Sequence, residues 1–120
     1  MEYLAALTIA IGSWLGVPGG SWQPTAQEVA EARSQLEPYV ARQAHSAGEV
    51  LPAWDSYTFQ YQGQELDGGR VILVNAFCSA PPPYAAMQLV VVFDGGPCYF
   101  SAYWDPIDKI YVDVRFNGNA

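Results

Sequence analysis

The one clear helical pattern in the sequence follows Thr25-Ala26-Gln27-Glu28. A threonine followed three residues later by glutamate is a capping box, in which each side chain accepts a hydrogen bond from the other residue's amide. Gly48 is the expected helix end. A lone helix with one apolar face needs a second layer to bury that face, so the rest of the chain must supply it. Five apolar residues recur at steps of three or four after the box: Val29, Ala32, Leu36, Val40 and Ala44.

Pro38 lies inside this apolar stripe. Proline has no amide hydrogen to donate to the carbonyl of Ser34, and its ring crowds the preceding turn. We therefore predict a kink near Ser34. A second helix that starts at Pro38 is the alternative.

Five later runs predict β-strands. Residues 57–62 alternate apolar and polar side chains, as a half-buried strand does. Residues 70–78 and 87–93 are apolar on both faces, which is typical of central strands. Residues 98–104 and 109–116 alternate again.

Turn sequences separate these runs. Asp-Gly-Gly occurs at 67–69 and again at 94–96, and it supplies the positive φ angles that two-residue hairpin loops require. Residues 105–108 form another predicted turn, in which Pro106 presets φ. The chain therefore predicts an α+β fold with a kinked N-terminal helix packed on a curved antiparallel sheet of four or five strands. That layout is cystatin-like, by analogy of layout alone.

Residues 1–20 precede the predicted single domain, which spans residues 21–120. The apolar run 4–17 has the length of a signal-peptide core and is too short to span a membrane, but only Glu2 stands before it. A degenerate export signal is the preferred interpretation, and a short helix packed on the domain is the alternative. Export predicts a periplasmic or secreted protein, whereas retention of residues 1–20 predicts a cytoplasmic one.

Cys78 and Cys98 are the two cysteines of the chain, and in an exported protein they suggest a disulfide. In a simple meander with residues 87–93 as a strand, the sulfurs would lie on the order of 20 Å apart. A disulfide allows Cα atoms only up to about 7 Å apart. The bond therefore requires strand 70–78 beside strand 98–104, with residues 79–86 crossing back. A plain meander with two buried thiols is the alternative, and both make Cys98 structural.

Three motifs carry a resemblance to a known family. "VNAFC" (74–78), "VFDGGPCYF" (92–100) and the closing "FNGNA" (116–120) resemble the motifs of small exported bacterial proteins of unknown function. Those proteins carry an NAFC strand, a DGG-x-C-[YF]-F hairpin and a closing NG-x-A. The resemblance covers about residues 57–120 and implies an exported domain, often with an export signal or a lipoprotein anchor. It implies no activity.

Charge and motifs limit the function. Five basic and twelve acidic residues give a net charge of −7, which argues against nucleic acid and anionic membrane as partners, apart from the apolar N-terminal segment. No nucleotide-binding or hydrolase motif is present in the sequence. The single histidine, His45, is expected to cap the helix C-terminus. We predict no catalytic residue, no metal site and no cofactor.

Aromatic side chains mark the candidate binding surface. The favoured function is a non-catalytic protein-binding module, such as an exported inhibitor, an immunity-type protein or an envelope accessory protein. Tyrosine supplies rigid contact area with a polar tip, which suits recognition surfaces. The predicted site lies on the outward face of the last two strands and comprises Tyr99, Tyr103, Tyr111, Asp113 and Arg115.

A pocket is the alternative function. It would hold a small molecule, as a binding protein or an enzyme, between helix and sheet. Its predicted lining is Tyr57, Tyr61 and Asn75. Asn75 interrupts an apolar strand, and once buried it must find hydrogen-bond partners, so a structural role is preferred for it.

Overall fold

The computed structural model describes residues 8–118, in which one helix packs on one face of a five-stranded sheet. The α+β fold class is therefore confirmed. The strand order is β1-β2-β3-β4-β5; β1 runs parallel to β2, and the other neighbours are antiparallel, so the sheet is mixed. The start of the predicted export signal and the last residues of the closing motif lie outside the described residues. The elements are β1 (Trp14–Gly16), α1 (Ala26–Ala47), β2 (Thr58–Leu66), β3 (Gly69–Phe77), β4 (Tyr99–Asp105) and β5 (Ile110–Phe116), with 3₁₀ turns at Trp54–Ser56 and Gly96–Cys98.

Helix α1 begins and ends as its sequence predicts. The Thr25 hydroxyl accepts a hydrogen bond from the Glu28 amide at 3.1 Å, and the Glu28 carboxylate accepts one from the Thr25 amide at 2.9 Å. Gly48 takes the left-handed conformation, with φ of 71°, at the C-terminus. The helix continues through Pro38, so a second helix starting there is wrong. The kink near Ser34 stays a prediction.

The apolar stripe of α1 packs on the sheet. It joins a core cluster with residues of β2 to β5, among them Val74, Trp104 and Tyr111. Burial of such side chains is the main favourable term in folding, at about 25 cal/mol per Å² of apolar surface. The stripe residues with no or almost no exposure are Ala32, Leu36, Val40 and Ala44.

The β2–β3 hairpin confirms the first glycine turn. Leu66 pairs with Gly69, which leaves Asp67 and Gly68 as a two-residue loop. Both have positive φ, 52° and 80°, as a type I′ turn requires. The predicted turn at 105–108 is also confirmed, because the Asp105 carboxylate accepts hydrogen bonds from the amides of residues 107 and 108.

The predicted central strand at 87–93 is wrong. These residues belong to an irregular segment, residues 79–97, that joins β3 to β4, and no strand lies between those two. The glycines at 95 and 96 do have positive φ, but they lead into β4 rather than close a hairpin. A short apolar run does not reveal by its pattern whether it is a strand, and here side chains of the sheet determine its path.

The Cys78–Cys98 disulfide is present, and the alternative of two free thiols is wrong. The cysteines stand one step beyond the last pair of β3 and β4, Phe77 with Tyr99. Their Cα atoms lie 5.0 Å apart, and the Cys78 amide donates to the Cys98 carbonyl at 2.9 Å. The crossover predicted to accompany the bond does not occur. Because no strand intervenes, β3 and β4 pair directly and bring the cysteines together.

Strand β1 has no counterpart among the predicted strands. Trp14 pairs with Phe59 of β2 and stacks on its ring, with centroids 4.8 Å apart. The chain then continues along the same edge, where the Ser21 amide donates to the Gly63 carbonyl at 2.9 Å. Gly63 must be glycine, because a Cβ there would lie 2.1 Å from the Trp22 carbonyl oxygen. Residues 14–16 are thus a strand, not part of a packed helix.

Removal of the disulfide tests its contribution to the free energy of unfolding. The bond joins cysteines 20 residues apart in sequence, so its loss frees a long loop in the unfolded chain. We expect the double variant Cys78→Ser/Cys98→Ser to lose about 3 kcal/mol in the free energy of unfolding, measured by urea denaturation. Two free thiols in the denatured, unreduced wild-type protein would contradict the assignment.

Candidate protein-binding surface

The sheet face opposite α1, here called the outer face, carries a row of polar side chains. Strand pairing places Gln60 of β2 beside Asn75 of β3, and Asn75 beside Ser101 of β4. The row reaches Arg115 on β5. Residues 79–97, here called the outer segment, hydrogen-bond to this row.

Gln60 holds the middle of the outer segment. Its side chain has no solvent exposure, and its amide nitrogen donates to the carbonyls of Ala85 and Gln88, both at 2.8 Å. Its amide oxygen accepts from the backbone of Val90 at 2.9 Å. One side chain therefore satisfies three backbone groups that would otherwise need water, which is a strong constraint in a buried place.

Asn75 adds to the same network. Its amide nitrogen donates to the Gln60 side-chain oxygen at 2.9 Å and to the Val90 carbonyl at 2.8 Å. Its oxygen accepts from the Ser101 hydroxyl at 3.3 Å. Val90 thus has both its amide and its carbonyl bound to side chains of the sheet. Asn75 has structural hydrogen bonds, as its position in an apolar strand predicts.

The ends of the outer segment are also fixed. The disulfide joins the residue before it to the residue after it. Asn117 lies just beyond β5. Its side-chain nitrogen, Nδ2, donates to the carbonyls of Val92 and Asp94. The Tyr57 hydroxyl donates to the Pro97 carbonyl, and burial raises the pKa of Tyr57 to about 12, so this donor stays protonated into the alkaline range.

Some apolar residues of the outer segment face solvent nonetheless. Phe93 is 92% exposed and Val91 is 67% exposed, although the sequence pattern placed both in a central strand. Phe93 stands between the two residues whose carbonyls Asn117 binds. Its exposure could not be anticipated from an apolar run, because only the partners of the neighbouring backbone reveal which side chains remain outside.

A groove lies beside Val91. It has a volume of about 180 Å³ between the outer segment and the sheet, and its lining includes Val91, Tyr99 and Tyr103. The Arg115 guanidinium lies over the Tyr103 ring, 5.4 Å from the centroid, and pairs with Asp113 at 3.0 Å. We call Val91, Phe93, Tyr99 and Tyr103 the outer patch, with Arg115 and Asp113 at its β5 side.

Tyr111 is not part of this surface, which corrects the sequence prediction. A β-bulge in β5 makes Val112 an extra residue, so Tyr111 pairs with Trp104 instead of following the alternation of Asp113. The ring is buried on the helix side, and its hydroxyl donates to the Ala32 carbonyl. Burial raises the pKa of Tyr111. Four of the five predicted residues therefore share the outer face: Tyr99, Tyr103, Asp113 and Arg115.

The three residues of the predicted pocket do not line one cavity. Tyr57 lines a cleft of about 290 Å³ between α1 and β1, whose walls include Trp14 and Trp54. Tyr61 lines a separate cleft of about 670 Å³ under residues 16–24. Asn75 lies on the outer face, because residues 60 and 75 pair while 59 and 61 point to the helix.

Comparison with known proteins gave no relative. No family model, no curated protein and no solved structure matches the chain. No helix within residues 8–118 is both long and apolar enough to cross a membrane. In that same part of the chain, no three histidine, cysteine or acidic side chains are grouped so that they could hold a metal ion.

Replacement of Gln60 tests the network. Methionine has a similar length but no hydrogen-bonding amide, so Gln60→Met leaves two carbonyls and one amide of the outer segment without this partner. We expect the free energy of unfolding to fall by about 3 kcal/mol or more, measured by urea denaturation. Gln62→Met is the matched control, because Gln62 donates to the Pro18 carbonyl and accepts from the Gln64 side chain, and neither bond involves the outer segment. Equal small losses in both variants would contradict the assignment.

Proposed function

We propose that the protein is a non-catalytic protein-binding module of an exported type, and that the outer patch is its binding surface. An inhibitor, an immunity-type protein and an envelope accessory protein all belong to this class. The observation that carries the proposal is the exposure of Phe93, at 92%, on a segment that is otherwise tied to the sheet.

Exposed apolar surface supports a protein partner. Single exposed apolar residues are common, but Val91 and Phe93 stand on the same short segment, and Val91 lines the groove together with two partly exposed tyrosines. Aromatic and arginine side chains are the ones that most often dominate binding energy at protein interfaces. The outer patch combines a phenylalanine, two tyrosines and Arg115 over one of those tyrosine rings.

The way in which the outer segment is held favours binding. Association costs free energy when a loop must be ordered at the same time. Here the disulfide, Gln60, Asn75 and Asn117 order the segment during folding. The backbone that carries Phe93 is therefore ordered before any partner binds, which lowers the cost of association.

The disulfide supports the exported location. Disulfides of this kind persist in the periplasm and outside the cell, and cytosolic reductants keep most thiols free. Cys78–Cys98 joins two backbone neighbours that also share a hydrogen bond, so it is part of the fold. The bond therefore favours a periplasmic or secreted location.

The test is affinity capture with patch variants. The oxidised protein and its Phe93→Ser/Tyr103→Ser variant are each used to capture proteins from an extract of the cell envelope and medium. We expect a partner held by the wild-type protein to be lost from the variant, because truncation of interface aromatics commonly costs about 2 kcal/mol or more. Val50→Ser is the matched control, since Val50 is 86% exposed and is not part of the outer patch.

Capture of the same partners by both proteins would contradict the proposal. A second contradicting result is that the wild-type protein captures no partner, while a small molecule binds the cleft between α1 and β1 and shifts the NMR signals of Trp14 and Trp54. The second result would support the small-molecule function instead. Circular dichroism of the variant shows that it is folded.

A further inference from the structure

Strand β5 has an open edge. Within residues 8–118 it pairs with β4 alone. The backbone amide of Asn117 donates to the Tyr99 carbonyl at 2.9 Å, so the backbone of Asn117 faces β4. Every second residue of an antiparallel strand faces the same neighbour, so the backbone groups of Arg115 and Asp113 also face β4. The amides and carbonyls of Val114 and Phe116 then point away from the sheet. Such an edge is a template for another strand.

The sequence of this edge is complementary to itself. Residues 112–116 read Val-Asp-Val-Arg-Phe. If a second copy of β5 runs antiparallel around a two-fold axis through Val114, Asp113 stands opposite Arg115 of the second copy, and Arg115 opposite its Asp113. Val112, which is 48% exposed, then stands opposite the second copy's Phe116. Opposite residues of neighbouring strands have side chains on the same face and contact one another.

We propose that β5 is a dimerisation edge, at which a second copy of this chain adds its own β5 and joins the two sheets into one. The backbone agrees with this register, because Val114 directs both its amide and its carbonyl outward and can exchange two hydrogen bonds with its copy across the axis. The charges agree too. Asp113 and Arg115 already pair within one strand at 3.0 Å, and the second copy places an opposite charge beside each of them.

A second copy fits this edge better than an unrelated strand. Backbone pairing alone accepts any extended peptide. Here the two-fold register places opposite charges together twice, Asp113 with Arg115 and Arg115 with Asp113, and an unrelated strand would not supply both. The bulge at Val112 limits the regular pairing to this short stretch, and the net charge of −7 on each chain opposes association. The dimer is therefore weak and forms as concentration rises.

The test is sedimentation velocity of the oxidised full chain over a range of concentrations. We expect the wild-type protein to pass from monomer to dimer as concentration rises. Asp113→Arg places arginine opposite arginine, and Arg115→Asp places aspartate opposite aspartate, so each variant alone dimerises at least about tenfold more weakly. An equal mixture of the two variants restores opposite charges at both positions and is expected to form a heterodimer.

The controls separate this edge from general charge effects and from the outer patch. Arg42→Asp makes the same change in net charge as Arg115→Asp, but on the exposed surface of α1, and should leave dimerisation unchanged. Phe93→Ser should also leave it unchanged, because the dimer does not rest on the proposed function. A wild-type protein that stays monomeric at every concentration would overturn the proposal. Single variants that dimerise as well as the wild type, or a mixture that does not associate, would do the same.

Discussion

The buried amide of Gln60 is the interaction on which the outer face depends. A long irregular segment that covers a sheet must find partners for the backbone groups that it buries. Gln60 supplies one acceptor and two donors at the middle of the outer segment, and Asn75 supplies more at Val90. The disulfide fixes the ends of the segment but would leave its middle free. The disulfide and the side-chain hydrogen bonds therefore hold different parts of the same segment.

This arrangement explains why residues 87–93 are not a strand. A strand there would have to separate β3 from β4 or to extend the sheet, and it would leave the Gln60 and Asn75 amides without these partners. In the structure β3 and β4 pair directly, and the segment lies over the polar row instead. Some apolar side chains of the run consequently turn to solvent, Phe93 most of all. The exposed surface is thus a consequence of how the buried polar groups are satisfied.

Local signals predicted the elements whose causes are local. The capping box, the Asp67-Gly68 turn and strand β2 were each predicted from neighbours in sequence, and each is present. The half-buried alternation expected of β2 is wrong, because Thr58 and Gln60 are as buried as Phe59. The cysteine pair was predicted from compartment and number, and with it the neighbouring positions of β3 and β4, although the crossover through a strand at 87–93 was wrong. The outer segment and β1 depend on partners far away in sequence, and no periodicity records those partners.

Tyr111 shows how a single residue decides a site. The alternation of β5 placed it beside Tyr99 and Tyr103, and the extra residue Val112 moves it to the opposite face. A shift of one residue exchanges the two faces of a strand, so a bulge that leaves no mark in the sequence overturns a side-chain assignment. Tyr99, Tyr103 and Arg115 lie on the other side of this bulge, and their predicted face holds.

Hydrogen exchange at the Val90 amide tests the central claim most directly. That amide donates to the Gln60 side chain, outside any strand or helix. If the outer segment is a fixed part of the fold, NMR-detected exchange of Val90 will be as slow as that of amides in β3 and β4, and it will quicken in Gln60→Met. Exchange of Val90 in the wild-type protein at the rate of an unstructured peptide would contradict the account.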